Sequence, residues 1–162
     1  MWGSVPYIID TDALVHISDR PNGAAVYSTL LDMVERAELF TVEQVFDELR
    51  RWPDVQSLFQ PLKKVMCVEQ YIPEVIGHVG FISESFDFLF DLSGSKNPDP
   101  ADPWLIGCAK HYGYTLVTDE RRTSTKKIPF VCRQQGVNVR CMSGSELVWA
   151  CHGNGPQFGK SA

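Results

Sequence analysis

An apolar run that ends on two carboxylates is the feature of this sequence that most constrains its fold. Residues 7–15 read YIIDTDALV, so a stretch of Tyr, Ile, Leu and Val contains Asp10 and Asp12. A buried carboxylate is costly unless a metal, another cation or hydrogen bonds compensate its charge. The pattern therefore predicts a buried strand over residues 5–9, with two aspartates at its carboxyl end that need such a partner.

Strand-like and helix-like segments alternate along the rest of the chain. Helices are predicted over 24–37, 39–54, 55–67, 71–92, 102–113, 128–136 and 143–151, and strands over 114–118 and 137–142, with a loop over 93–102. Three of these helices carry end signals. Thr41 and Gln44 resemble a capping box in a helix that Pro53 ends, Asp102 precedes Pro103 and a stop at Gly113, and a serine caps the last helix.

This alternation predicts the fold class. Strands separated by helices imply an α/β protein, with three α/β/α layers around a central, mainly parallel sheet. The 162 residues suit a single domain, which we place at 1–152, with a disordered tail over 153–162. No Gly-rich loop follows either of the first two predicted strands, so a dinucleotide or P-loop site is not supported.

Composition narrows the cellular setting. No window approaches 18 unbroken apolar residues and no basic segment precedes the first strand, so we expect neither a membrane span nor a signal peptide. The five cysteines form no CxxC pair and the four histidines form no HxxxH or HExxH pattern. We therefore expect a cytoplasmic protein with reduced thiols and without a zinc site.

The distribution of charge favours an anionic ligand despite a net charge of −5. The residues from Lys110 to Arg140 include seven Lys and Arg and two acids. This stretch therefore has a net charge of +5, and the remainder of the chain has −10. A basic region beside an acidic remainder can attract phosphates locally. A solvated loop and helix surface would give the same pattern.

Acidic residues from separate segments are expected to converge. The carboxyl ends of parallel strands share one edge of the sheet, which brings Asp10 and Asp12 near Asp119 and Glu120. Each acid also has a structural explanation: Asp12 as a helix cap, Asp102 as an N-cap, Glu48 as a solvated side chain, and Asp119 with Glu120 as turn residues. A cluster of such acids repels itself unless cations are present, and Mg²⁺ or Mn²⁺ suits carboxylate oxygens.

These segments resemble the motifs of PIN-domain (PilT N-terminus-like) nucleases. YIIDTDALV is similar to their first motif, a strand followed by D-[TS]-[DNS]-x-[LI], and FTVEQVFDELRR to their second, a helix whose Glu follows an apolar pair. DPADPWLIGCAKHYGYTLVTDE resembles their third and fourth motifs, and the resemblance covers about residues 5–142. The stretch TKKIPFVCRQQGVNV further resembles an uncharacterised PIN-like bacterial subgroup.

The resemblance implies a set of site residues. Asp10 would be the first metal ligand, Glu48 the second acid, Asp102 the third, and Glu120 or Asp119 the fourth. Asp12 would support the first ligand or join the metal ligands, and the Thr11 and Thr118 hydroxyls would orient water. Substrate phosphates would meet the basic segment that follows the fourth acid: Arg121, Arg122, Lys126 and Lys127.

The family's activity is Mg²⁺- or Mn²⁺-dependent cleavage of RNA, often as the toxin of a VapC-type toxin–antitoxin pair. The resemblance thus implies an endoribonuclease with RNA as substrate, an antitoxin protein as a possible partner, and a possible homodimer. Two departures from the family pattern are the extra aromatic sequence at 68–92 and a Glu at position 120.

Two alternatives stay open on sequence alone. A non-catalytic PIN-like module would bind RNA or protein without cutting, although an acid is present at all four motif positions. A HAD-type phosphatase also begins with a strand and DxD, and would use Asp10 as nucleophile and Asp12 as general acid. Ala13-Leu14-Val15 is a poor match to the residues that follow DxD in that family.

Overall fold

The computed structural model describes residues 6–89 and 99–151, which contain a four-stranded, all-parallel sheet. Its strands are β1 (Tyr7–Ile9), β2 (Leu39–Phe40), β3 (Thr115–Val117) and β4 (Cys141–Met142), in the order β2-β1-β3-β4. The α-helices are α1 (Thr11–His16), α2 (Gly23–Glu35), α3 (Glu43–Glu48), α4 (Pro53–Phe59), α5 (Lys63–Met66), α6 (Pro73–Ser85), α7 (Ala101–Tyr112), α8 (Ile128–Cys132) and α9 (Gly144–Cys151). Short 3₁₀ turns cover Ile17–Asp19, Leu49–Arg51, Gln60–Leu62 and Asp87–Leu89.

The two central strands are buried on both faces. Every residue of β1 and of β3 is buried, although successive side chains of a strand point to opposite sides of the sheet. Helices must therefore cover both faces, because a strand exposed on one side would alternate between buried and exposed residues. This confirms the predicted α/β class and three-layer arrangement around a parallel sheet.

The strand order places a crevice beside Asp10. From β1 the chain adds β2 on one side of the sheet and then returns to add β3 on the other, so β1 and β3 flank the point where the direction of winding reverses. Ligands of open parallel sheets bind outside the carboxyl ends of the strands at such a point. The register pairs Ile9 with Val117, so the residues that follow them, Asp10 and Thr118, are neighbours.

The predicted capping box at Thr41 and Gln44 is wrong. Leu39 and Phe40 form β2, and α3 begins only at Glu43, whose N–H donates to the Gln70 side chain at 2.8 Å. The Thr41 hydroxyl instead donates to the Ile9 carbonyl at 2.7 Å, which ties the end of β2 to the end of β1. A long-range hydrogen bond has displaced the local one because Thr41 sits at the edge where the two strands meet.

The predicted start of α7 is also wrong, by two residues. Pro100 is the N-cap and Asp102 is the second helical residue, so the Asp102 carboxylate does not cap the helix. The predicted end is confirmed, because Gly113 follows the helix in the left-handed region with φ 75°. A residue with a Cβ is strained there, which explains why a glycine ends this helix.

Two predicted elements are shorter than the sequence pattern indicates. The helix predicted over 55–67 is divided into α4 and α5 by a 3₁₀ turn that contains Pro61, which has no N–H to continue a helix. The strand predicted over 137–142 is reduced to β4, because Asn138 has φ 53° and its N–H donates to the Gln134 carbonyl in a turn.

The serine cap of the last helix is confirmed, with a reciprocal partner. The Ser143 hydroxyl accepts from the Glu146 N–H at 3.1 Å, and the Glu146 carboxylate accepts from the Ser143 N–H at 2.8 Å. This is a capping box, which satisfies two backbone donors at the start of α9.

Some predictions fall outside the described residues. These are the end of the helix predicted over 71–92, most of the loop over 93–102, and the tail over 153–162. Within residues 6–89 and 99–151, no helix is both long and apolar enough to cross a membrane.

Candidate metal centre

Three carboxylates from three elements converge at the carboxyl edge of the sheet. Asp10, Asp102 and Glu120 each offer an oxygen, and these oxygens all lie within 4.8 Å of one another. Asp10 follows β1, Asp102 is in the first turn of α7, and Glu120 lies two residues beyond the Thr118 that ends the β3 edge. The convergence that the sequence predicted for these three acids is present in the structure.

Asp10 is buried, and both of its oxygens are oriented by the chain. Its side chain is 4% exposed. One carboxylate oxygen accepts from the Thr11 N–H at 2.6 Å and the other from the Thr118 hydroxyl at 2.9 Å. The Asp10 N–H donates to the Val117 carbonyl at 2.9 Å, which continues the β1–β3 ladder. Asp10 therefore has a fixed position, set by the sheet register.

Glu48 lies beside this group but acts through a different set of contacts. One of its oxygens accepts from the Thr11 hydroxyl at 2.6 Å, and the other accepts from the Ala101 N–H at 3.2 Å. It thus links the start of α1 to the start of α7, through partners 37 and 53 residues away from it in the sequence. Because Ala101 directly precedes Asp102, this link positions the Asp102 carboxylate.

Hydrogen bonds to carboxylates add a second role to the one expected of Thr11 and Thr118. The resemblance implied that both hydroxyls orient water. In the structure the Thr11 hydroxyl donates to Glu48 and the Thr118 hydroxyl donates to Asp10, so each orients a carboxylate. A hydroxyl has a single proton to donate but can also accept, so a water at either oxygen would donate to it.

The Asp102 carboxylate lies near other carboxylates and lacks hydrogen-bond donors among the described residues. Burial, followed by the nearby charges of Glu120, Glu48 and Asp12, raises the pKa of Asp102 well above its usual range. Lys127 opposes this rise. A carboxylate in this position is costly to ionise unless a cation joins it.

The pKa values of the other two members of the group, Asp10 and Glu120, are also raised. Burial is the main cause that raises the pKa of Asp10 well above its usual range, and the charges of Asp102, Asp12 and Glu120 add to it. Burial also raises the pKa of Glu120, although the Ile128 N–H opposes the shift by donating to its carboxylate at 2.9 Å. In all three acids the pKa is shifted in the direction that makes the negative charge more costly.

The structure separates the two candidates for the fourth acid. Glu120 belongs to the converging group, whereas Asp119 bonds elsewhere. One Asp119 oxygen accepts from the Gly144 N–H at 2.8 Å, at the start of α9, and the other lies 3.0 Å from the His16 ring nitrogen Nδ1. Asp119 thus connects α1, β3 and α9, and it lies outside the set of three oxygens.

Asp12 takes a supporting position. One of its oxygens lies 3.3 Å from the Asp119 N–H and 3.4 Å from the Thr118 hydroxyl, so it accepts from the turn that follows β3. Its charge raises the pKa values of Asp10, Asp102 and Glu120. Asp12 is therefore close enough to shape the electrostatics of the group without being one of its three converging members.

A cleft of about 700 Å³ opens over the carboxylates. Its walls combine the acids with His16, Val15 and Pro100, and with three residues that the sequence reading did not single out: Arg50, Arg51 and Trp52. They follow the helix that carries Glu48. The sequence RRW could have indicated them, since two cations and an aromatic ring together suit a nucleic acid.

The predicted basic segment after Glu120 lies at the surface. Arg121, Arg122, Lys126 and Lys127 are all exposed. Arg122 forms an ion pair with Glu146, and its carbonyl accepts from the Arg133 guanidinium at 3.1 Å. Lys127 lowers the pKa values of Asp102 and Glu120, so its charge acts on the carboxylate group.

Comparison with protein-family models gives a match over most of the chain. A family model described as "Domain of unknown function (DUF4411)" matches residues 7–151, which include every residue of the converging group. No curated protein matches the chain.

Proposed function

This chain belongs to the DUF4411 family, a domain of unknown function, and we propose that it is a Mg²⁺- or Mn²⁺-dependent endoribonuclease. The observation that carries the proposal is the convergence of Asp10, Asp102 and Glu120 at the sheet edge. Their order along the chain, and the elements that carry them, agree with the resemblance to PIN-domain nucleases. We propose that the family relationship extends to that class of enzyme.

The chemistry of the group suits a hard divalent cation. Its ligands would be carboxylate oxygens, which Mg²⁺ and Mn²⁺ prefer, and no sulfur or imidazole ligand is among them. In the described residues, none of the three carboxylates pairs with a Lys, Arg or His side chain. The raised pKa values give the same indication, because a cation would relieve the repulsion that contributes to them.

The chain's own residues would prepare the site for hydrolysis. Asp10 is held in place by Thr11 and Thr118, and Asp102 is positioned through the contact of Glu48 with Ala101. When bound, a divalent cation activates water and stabilises charge on a phosphoryl oxygen. We therefore assign Asp10, Asp102 and Glu120 to cation binding, and Glu48 and Thr118 to positioning.

RNA as the substrate is supported by the cations around the acidic group. Phosphates approaching a site of several carboxylates need positive charge, and Arg50 and Arg51 line the cleft itself. Among the residues of the basic segment, Lys127 acts electrostatically on the group, while Arg121 and Lys126 are exposed without an ion pair in the described part of the chain. We propose that these side chains contact the phosphates that flank the cleaved bond.

The wider biological role follows from the resemblance alone. A toxin of a toxin–antitoxin pair, with an antitoxin partner, a possible homodimer and a cytoplasmic location, stays a prediction. Light scattering on the purified protein would test the homodimer.

Cleavage of a mixed, 5′-labelled RNA pool tests the activity. The purified protein with Mn²⁺ or Mg²⁺ is expected to give discrete fragments, and EDTA is expected to abolish them. Well-folded protein that cleaves neither structured nor single-stranded RNA with either ion would contradict the proposal and favour a module that binds without cutting. A phosphatase assay on the same protein would test the HAD-type alternative.

The thermal stability of the cation-free protein should fall as pH rises, and a bound cation should raise it. Each raised pKa means that the folded protein holds more protons than the unfolded chain, so without a cation the free energy of unfolding falls as pH rises above about 4 through the raised values. A cation at 100 times its Kd adds about 2.7 kcal/mol, which is about 5–10 °C in Tm.

Differential scanning fluorimetry with and without Mn²⁺ measures this dependence. We expect the gain in Tm at pH 7.5 and little or none at pH 4.5, because protons compete with the cation for the carboxylates. A gain of equal size at both pH values, or a gain retained in Asp10→Asn, would place the cation elsewhere.

A further inference from the structure

We propose that Arg50, Arg51 and Trp52 form a docking element for unpaired nucleotides, in which the Trp52 indole stacks on a base and the arginines contact the adjoining phosphates. The three residues share the cleft with the carboxylate group. The identity of the ligand as single-stranded RNA rests on the proposed ribonuclease function. The docking itself rests on the geometry and charge of this segment.

The backbone of the segment is fixed. Leu49 is fully buried and anchors the 3₁₀ turn that carries both arginines. The Trp52 N–H donates to the Leu49 carbonyl at 2.8 Å, and the Trp52 carbonyl accepts from the Gln56 N–H at 3.0 Å. Pro53 then begins α4. Trp52 is therefore held at both its N–H and its carbonyl, between a buried anchor and a helix start.

The side chain of Trp52 is nevertheless open to the cleft. It is 39% exposed although an indole is normally among the more buried side chains. In the parts of the chain that the structure describes, its indole N–H has no hydrogen-bond partner. Base stacking requires an aromatic ring that is accessible to the ligand and carried by a fixed backbone.

The arginines place positive charge beside the ring. The Arg50 Nε donates to the Asp47 carbonyl at 3.2 Å, which orients its guanidinium. The Arg51 side chain forms no ion pair or hydrogen bond within residues 6–89 and 99–151. Its charge is thus available to a ligand, in a cleft whose other titratable side chains are mostly acids. A phosphate at Arg51 would place the neighbouring base within reach of Trp52.

This combination favours unpaired RNA over a duplex. In an A-form helix the base faces are covered by their neighbours, and side chains cannot enter its deep, narrow major groove. Splayed bases of loops and single strands expose a face to an aromatic side chain, and arginines follow the backbone. The cleft therefore fits a single-stranded segment that passes from Arg51 and Trp52 toward the carboxylates.

Binding of a fluorescein-labelled, single-stranded RNA 12-mer of mixed sequence tests the proposal. Fluorescence anisotropy is measured with Mg²⁺ in an Asp10→Asn background, so that cleavage does not interfere. Trp52→Ala should weaken binding roughly 5- to 150-fold, since stacking contributes about 1–3 kcal/mol per base. Trp52→Phe should recover most of the loss. Arg51→Ala should make the negative slope of log K against log salt shallower by about 0.7.

Trp149→Ala is the matched control. Trp149 is exposed to a similar degree, at 42%, and does not line the cleft. It should leave binding unchanged, and a duplex of the same sequence should bind more weakly than the single strand. Equal binding by Trp52→Ala and Trp149→Ala would overturn the proposal, as would a Phe variant no better than Ala, or a duplex bound as tightly.

These outcomes are separable from those of the cleavage assay. Protein that binds RNA through Trp52 but does not cut it would retain the docking element and contradict the nuclease. Protein that cuts RNA while Trp52→Ala binds normally would retain the nuclease and contradict the docking element.

Discussion

Asp10→Asn is expected to lower metal-dependent RNA cleavage on the order of a thousandfold. The substitution keeps the size of the side chain and removes the charge of the most buried member of the carboxylate group. Losing several kcal/mol of charge stabilisation corresponds to this factor, at 1.36 kcal/mol for each factor of ten. Initial cleavage rates of the labelled RNA pool, with wild-type and variant protein side by side, measure the effect.

The same substitution should leave the metal-free protein folded, and more stable at neutral pH. A neutral amide avoids the desolvation and the repulsion by Asp102, Asp12 and Glu120 that raise the pKa of Asp10. The oxygen of the introduced amide can still accept one of the two present hydrogen bonds. If the variant is inactive and has a lower Tm than metal-free wild type, the loss of activity is due to misfolding. If the variant is active, Asp10 takes no part in the reaction.

Glu120→Gln and Asp119→Asn should differ sharply although the two residues are adjacent. Glu120→Gln keeps an oxygen for the Ile128 N–H but removes a charge from the converging group, so we expect a loss on the order of a hundredfold, or about 2.7 kcal/mol. Asp119→Asn keeps an oxygen for the Gly144 N–H at the start of α9, outside that group. We expect its cleavage rate to stay within about threefold of wild type.

Parallel rate measurements on the two variants decide which residue is the fourth acid. Both substitutions are nearly isosteric and each preserves a backbone contact, so the pair is its own control for folding. The opposite pattern, with Asp119→Asn inactive and Glu120→Gln active, would refute the assignment that we draw from the structure.

The parts of the fold that the sequence predicted correctly are those encoded by local patterns. The strands β1 and β3 are short apolar runs that are buried on both faces, and the end of α7 is marked by a glycine with positive φ. The start of α3 was not predictable in this way. Thr41 bonds to Ile9 from a strand 32 residues away, and the Gln44 side chain bonds to Asp99 and Gln70, so tertiary contacts decide both roles.

Part of the candidate site could also be predicted from the sequence, and the rest depends on tertiary contacts. The approach of Asp10 to the Asp119–Glu120 pair could be predicted because strand ends of a parallel sheet meet, whereas Asp102, in the first turn of α7, was predicted from the resemblance alone. The choice between Asp119 and Glu120 stayed open until their contacts were known. The roles of Thr11, Thr118 and Glu48 could not, since their hydrogen bonds cross between elements that are distant in sequence. Trp52 and its two arginines looked like the end of a helix, and only the packing of α3 against α7 and the bond of its Glu48 to Thr11 bring them to the cleft.

Binding of Mn²⁺ is the most direct test of the central claim that these carboxylates hold a catalytic cation. Titration at pH 7.5, followed by the electron paramagnetic resonance signal of free Mn²⁺, reports binding without reference to activity. We predict saturable binding by wild-type protein and by Asp119→Asn, and loss of that binding in Asp10→Asn and Glu120→Gln. Equal Mn²⁺ binding by all four proteins, or none by the wild type, would contradict the account.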